Sequence, residues 1–249
     1  MTYEFVLTVA MGKRLIARGM MADGQVRDAM LRHRLLIIGG STNGYVAEEA
    51  LRALGADVEF DRRGFRRGVT TPPGAAPASR PLGCDLLIDR GRVELGRDVF
   101  AIAPELERGD MIMKGANALY LAGGEAGVLI GHPQGGTVIP AIAAAIGRRV
   151  QLVVPVGLEK RVELPIARLA ALSNAPDAEG PRMCPLPGRT YCELDAIRTL
   201  TGAQAQLLAA GGALGAEGCV YLAATGTEEQ IAAVRALAEE LRGEAATEL

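Results

Sequence analysis

The chain has 249 residues, 49% of them apolar and 22% charged, with a formal net charge of −2. These values describe an ordinary globular chain, long enough for one large or two small cores. They exclude a basic nucleic-acid footprint and a charge-rich disordered tail, and no uncharged apolar run reaches the roughly 18 residues of a membrane span.

The opening stretch, MTYEFVLTVAMGKR, lacks the basic leader, apolar stretch and cleavage site of a secretory signal. The four cysteines (Cys84, Cys184, Cys192, Cys219) have no C-x-x-C spacing. The expectation is a cytoplasmic protein with free thiols, no metal and no cofactor. Residues 11–32 predict a helix broken near Asp23-Gly24. Leu35–Ile38, followed by two glycines, reads as a buried parallel strand. STNG is a loop, and YVAEEALRALG a helix stopped by Gly55. Glu48 and Glu49 are then expected in that helix's first turn, serving its dipole. Residues 56–83, rich in Arg, Gly and Pro, read as an irregular excursion or flap.

Two short strands are expected around Asp89–Gly91, a helix over 98–108 and a strand at Met111–Met113. A second strand, glycine loop and helix follow at Val128–Ile130, Gly131–Thr137 and 138–146, then a strand at Leu152–Val156. Residues 173–190 hold four prolines and read as a linker. Beyond them come a helix (192–200), strands (204–209 and 219–224) and a helix (228–242), with Thr227 and Gln230 forming a capping box. The whole predicts an α/β fold: a mostly parallel, Rossmann-like sheet flanked by helices, with a small C-terminal α+β unit of order α-β-β-α. The expected division is a core domain at 1–172, a linker at 173–190 and the small unit at 191–249, packed on the core.

Ligands of parallel sheets bind at the carboxyl ends of the strands. Four loops fall there: Gly39-Gly40-Ser41-Thr42-Asn43-Gly44, Lys114-Gly115-Ala116-Asn117, Gly131–Thr137 and Gly157-Leu158-Glu159-Lys160. Glycine permits close backbone approach, and a helix N-terminus offers free N–H groups to an anion. The first loop is neither G-x-G-x-x-G nor a Walker motif. Rare residues concentrate in these loops. Only three of 27 basic residues are Lys (Lys13, Lys114, Lys160); Asn occurs three times (Asn43, Asn117, Asn174) and His twice (His33, His132). The loops span 21 of 249 residues yet hold Lys114, Lys160, Asn43, Asn117 and His132. A lysine kept where Arg has displaced nearly all others marks a need for its compact, titratable amine. Lys13, within a helix, lies outside the loops.

The candidate catalytic residues are Lys114, Glu125, Glu159 and Lys160. The candidate ligand-binding residues are Gly39, Gly40, Ser41, Thr42, Asn43, Gly44, Gly115, Asn117, His132, Gly135, Gly136 and Thr137. Asp110 and Glu217 are weaker candidates for a general base. No Ser/His/Asp or Cys/His arrangement names a nucleophile.

LLIIGGSTNGYVAEEAL resembles the glycine loop of the superfamily of ribose-5-phosphate isomerase, glucosamine-6-phosphate deaminase and CoA-transferases, and MIMKGANAL resembles the isomerases' lysine-glycine loop. KGANAL, IGHPQGG, VPVGLEK and GGALGAEG together resemble a set of prokaryotic proteins to which no activity is attached. The superfamily resemblance implies that Gly40, Ser41, Thr42 and Lys114 hold a phosphate or carboxylate. The isomerases' multi-glycine run is KGAN here, and the acid pair that follows it in them is missing. No Glu stands in the context that CoA-transferases use for acyl attack. The expectation is a homo-oligomer that binds a small anionic metabolite and isomerises it or transfers a group from it. The alternatives are a non-catalytic metabolite sensor and an assembly role for the C-terminal unit.

Overall fold

The computed structural model describes residues 1–67 and 85–245. Its strands are β1 (Thr2–Leu7), β2 (Arg34–Ile37), β3 (Leu86–Asp89), β4 (Arg92–Glu94), β5 (Met111–Met113), β6 (Ala118–Tyr120), β7 (Glu125–Ile130), β8 (Gln151–Pro155), β9 (Arg182–Leu186), β10 (Arg189–Tyr191), β11 (Gln204–Ala210) and β12 (Val220–Thr225). The helices are α1 (Val9–Ala22), α2 (Gly24–Arg32), α3 (Ser41–Ala53), α4 (Val99–Ile102), α5 (Val138–Arg148), α6 (Ile166–Ser173), α7 (Glu193–Thr201) and α8 (Glu228–Leu241).

The fold is mixed α/β around a six-stranded, mostly parallel sheet of order β10-β8-β5-β2-β3-β4. The first four strands are parallel, and β3 and β4 run antiparallel at one edge. Leu35, Leu36 and Ile37 of β2, and all of β5, are buried, as central strands covered on both faces must be. The register sets Ile37 beside Met113 and Met113 beside Val153, so these parallel strands reach their carboxyl ends together. A second sheet, β1-β12-β11, is antiparallel. Its N-terminal strand was not expected, because an inward alternation of Tyr3, Phe5 and Leu7 is too short to stand out.

The break between α1 and α2 falls at Asp23, whose Oδ1 accepts from the Gln25 and Val26 N–H groups at 2.9 and 3.1 Å. α3 starts four residues before the tyrosine where the sequence places it, directly after Gly40. Glu48 and Glu49 are therefore mid-helix and serve ion pairs instead of the helix dipole. The strand expected at Val128–Ile130 is part of β7. It pairs antiparallel with β6 and β9 in a third sheet and is not part of the parallel core. The β6–β7 hairpin turns at Gly124, whose φ of 63° suits glycine, and this turn removes β7 from the main sheet. Residues 173–190, read as linker, contain β9 and the first two residues of β10. Cys184, Cys192 and Cys219 are free thiols. Cys84 and most of the expected flap, residues 68–83, lie outside the described residues.

α1 packs on both α3 and α7. Its Arg14, with a side chain only 6% exposed, donates to Glu48, to Glu49 at 2.7 Å and to Glu244 at 2.9 Å. Arg62 joins the same group through Glu48 and Glu244, and both guanidiniums lie over the Tyr45 ring. These ion pairs clamp α1, α3, the segment after α3 and the end of α8. Without Arg14, Glu48 and Glu244 share Arg62 alone and Glu49 keeps only the exposed Arg52, so three partly buried carboxylates lose their common partner. Arg14→Met is expected to cost about 3–5 kcal/mol, read as a lower urea midpoint at unchanged denaturant slope.

Candidate functional site

The carboxyl edge of the main sheet collects side chains from five neighbouring strands. Gly39 and α3 follow β2, Lys114 follows β5, Glu159 and Lys160 follow β8, and Glu193 follows β10. Asp85 precedes the reversed strand β3 and so reaches the same edge. The strand ladder continues just past the strand ends, with the Ile38 N–H donating to Met113 O and the Lys114 N–H to Val153 O, both at 3.0 Å. These bonds hold the loops in register.

Asp85, fully buried, accepts from the Gly39 N–H (2.9 Å), the Val99 N–H (2.8 Å) and Arg67 Nε (2.9 Å). It thereby fixes the first glycine loop. Asn43 is also fully buried, and its Nδ2 donates to Ile38 O (2.7 Å) and Met113 O (3.0 Å), tying α3 to the ends of β2 and β5. That commits the amide to positioning the backbone beside Lys114. The N–H groups of Ser41, Thr42 and Asn43 open α3 with no intrahelical acceptor. The buried atoms Thr42 Oγ1, Asn43 Oδ1 and Glu159 Oε1 have no hydrogen-bond partner among the described residues.

Lys114 is half-buried at the end of the central strand β5. Its ammonium donates only to Gly115 O, at 3.4 Å, among the described residues. Burial draws its pKa down to about 8; Asp85 opposes this, while Lys160 and Arg67 add to it. Lys13, on α1, is lowered by burial and by Lys160, against Glu159 and Glu193. Glu193 is buried at the first position of α7, where Oε2 accepts the Leu158 N–H at 2.9 Å. Burial pushes its pKa up to about 8, and repulsion from Glu159 adds to this. Lys13, Lys160, Glu159 and Glu193 thus act on one another electrostatically, and Lys114 joins them through Lys160. Every ion pair among the described residues is made by Arg or His, and none by Lys.

Two glycines make this crowding possible. A Cβ on Gly12 would stand 2.5 Å from Glu193 Oε1, and one on Gly157 would collide with the Glu159 carboxylate.

Of the residues expected to form the site, Gly39, Gly40, Ser41, Thr42, Asn43, Gly44, Lys114, Gly115, Glu159 and Lys160 lie along this edge. The others have different surroundings. Glu125 accepts the Ile166 N–H at 3.0 Å and holds the start of α6. Asn117 is exposed and braces β7 by accepting the Leu129 N–H at 3.0 Å. His132, Gly135, Gly136 and Thr137 form the turn before α5, where the exposed His132 ring accepts the Gln134 N–H at 3.1 Å. Asp110 binds Arg34 and the Glu107 N–H, and Glu217 takes the Gly215 N–H; both are structural. Lys13 and Glu193 are the additions. Lys13 carried a signal in the lysine count, whereas nothing in the sequence singles out Glu193.

Cys192 caps α7 beside a hollow of about 300 Å³, but burial pushes its thiol up to about 12, so it is no nucleophile at neutral pH. No group of three or more His, Cys, Asp or Glu among the described residues could hold a metal ion.

A carboxyl group whose pKa rises on folding favours the folded state at low pH and loses that contribution as pH climbs from its unfolded value, near 4.5, to about 8. Thermal melts of the native protein are expected to fall across that window, and those of Glu193→Gln to fall less. Compared with models of known protein families, with curated proteins and with solved structures, the chain matches none, so the chemistry of this edge is argued from its own residues.

Proposed function

We propose that the protein binds a small metabolite carrying a phosphate or carboxylate at the carboxyl edge of its sheet and moves a proton within it, as an isomerase does. One observation carries this reading: the three lysines of the chain, none in an ion pair among the described residues, lie around that edge with Glu159 and Glu193. The open N–H groups of α3 and the Lys114 ammonium supply donors for the anion. Glu159, with an unpaired carboxyl oxygen, is the group that exchanges a proton with the ligand. Glu193, which accepts the Leu158 N–H, positions the turn that carries Glu159. Lys160 and Lys13 offset the negative charge that develops in an enolate-like transition state.

Inorganic phosphate is expected to raise the melting temperature saturably. Lys114→Ala should weaken that binding by about 10- to 100-fold, the worth of one charge-assisted hydrogen bond. Unchanged binding would remove Lys114 from the site. Proton transfer is read separately, by NMR in D2O with a panel of aldose and ketose phosphates. Deuterium should enter next to the carbonyl carbon, and Glu159→Gln should slow this by about 10²–10⁴-fold. Glu193→Gln should shift the pH profile of exchange. Saturable stabilisation with no exchange for any compound would mark a non-catalytic metabolite sensor.

A further inference from the structure

We propose that Lys114 forms an imine with its ligand, so that the substrate class is a small aldehyde or ketone bearing an anionic group. The inference rests on the anion-binding reading above and narrows it: Lys114 pairs with free phosphate as the ammonium, but with a carbonyl ligand the α3 N–H groups keep the anion and Lys114 meets the carbonyl as the neutral amine. Three structural facts carry it. Lys114 stands at the end of a central strand, half-buried, and its backbone is fixed by the bond from its N–H to Val153 O and by the Asn43 amide on Met113 O. Its amine has no carboxylate partner among the described residues, and the nearby Asp85 is already occupied by two backbone N–H groups and Arg67. The adjoining strand β8 presents Glu159 with an unpaired oxygen. An amine spared from ion pairing and seated among other cations is available as the free base near neutral pH, which is what nucleophilic attack needs.

The chemistry balances as follows. The neutral Nζ donates its electron pair to the carbonyl carbon as the C=O π pair moves to oxygen, and one proton passes from the nitrogen to that oxygen, giving a neutral carbinolamine whose nitrogen has its lone pair back. A second proton, delivered by the carboxyl pair, lets that oxygen depart as water while the nitrogen lone pair closes the C=N bond. No electrons are gained or lost. The imine then acidifies the adjacent C–H, the proton whose removal the proposed function assigns to Glu159.

Borohydride reduces an imine to a stable secondary amine by adding hydride to its carbon, and a chain with only three lysines makes the product simple to map. The intact protein is incubated with dihydroxyacetone phosphate or pyruvate, with acetone as the anion-free control. It is then reduced with borohydride and examined by intact mass and peptide mapping. A single adduct on Lys114, formed faster at pH 8 than at pH 6, suppressed by inorganic phosphate and missing from a folded Lys114→Arg variant, supports the proposal. No adduct with either anionic probe, or adducts spread equally over Lys13, Lys114, Lys160 and the Met1 amine, overturns it. Phosphate melts of the same samples separate the two readings. Stabilisation without an adduct overturns the imine alone, and neither signal overturns both.

Discussion

The Glu193 carboxyl group is buried at the first turn of α7, takes the Leu158 N–H, and presses its other oxygen toward Gly12 on α1. Three segments remote in sequence meet at that one group. A carboxyl placed there cannot be a fully solvated anion, so its pKa is displaced and a proton is retained in a range where carboxylates usually have none. The packing follows from the same requirement. α1 must come close enough to enclose the group, which it does through Gly12 and through Gly19, where a Cβ would lie 2.8 Å from Ala196 Cα. The close approach of α1 and α7, the burial of Tyr191 beneath them and the altered acidity of Glu193 are one arrangement seen at three scales.

Charge is divided between two kinds of cation. Arginine makes the structural ion pairs: Arg14 with three glutamates, Arg34 with Asp110, Arg67 with Asp85. Its planar fork and permanent charge suit fixed carboxylates. None of the three lysines makes an ion pair among the described residues, and burial lowers the pKa of Lys13 and Lys114. The scarcity of lysine in the sequence thus coincides with a division of labour in the structure.

How much of this was legible in the sequence depended on whether a residue's role was local. The sheet order could be approached because aliphatic runs such as Leu35–Ile38 and Leu152–Val156 mark buried strands, and the Asp23 break is a local capping decision. β7 misled because a strand followed by a glycine loop and a helix looks the same whether its hydrogen-bonding partners are parallel or antiparallel. Asn117 and His132 drew attention by rarity, yet each is spent on the turn it occupies. Ser41, Thr42, Lys114, Glu159 and Lys160 fall together at the carboxyl edge because each directly follows a strand of the parallel core. Glu193 was invisible because its significance comes from Gly12 and Leu158, far away in the chain.

The reversal of β3 has a consequence for how such an edge can change. In an all-parallel sheet every side chain at the carboxyl edge belongs to a segment that leaves a strand, so each is free to vary with the loop and helix that follow it. Asp85 belongs to a segment that enters a strand, and the tight β3–β4 hairpin lies at the far end of that strand. Its position is inherited from the sheet alone. Loops on this edge can lengthen, shorten or exchange residues around a carboxylate that stays put.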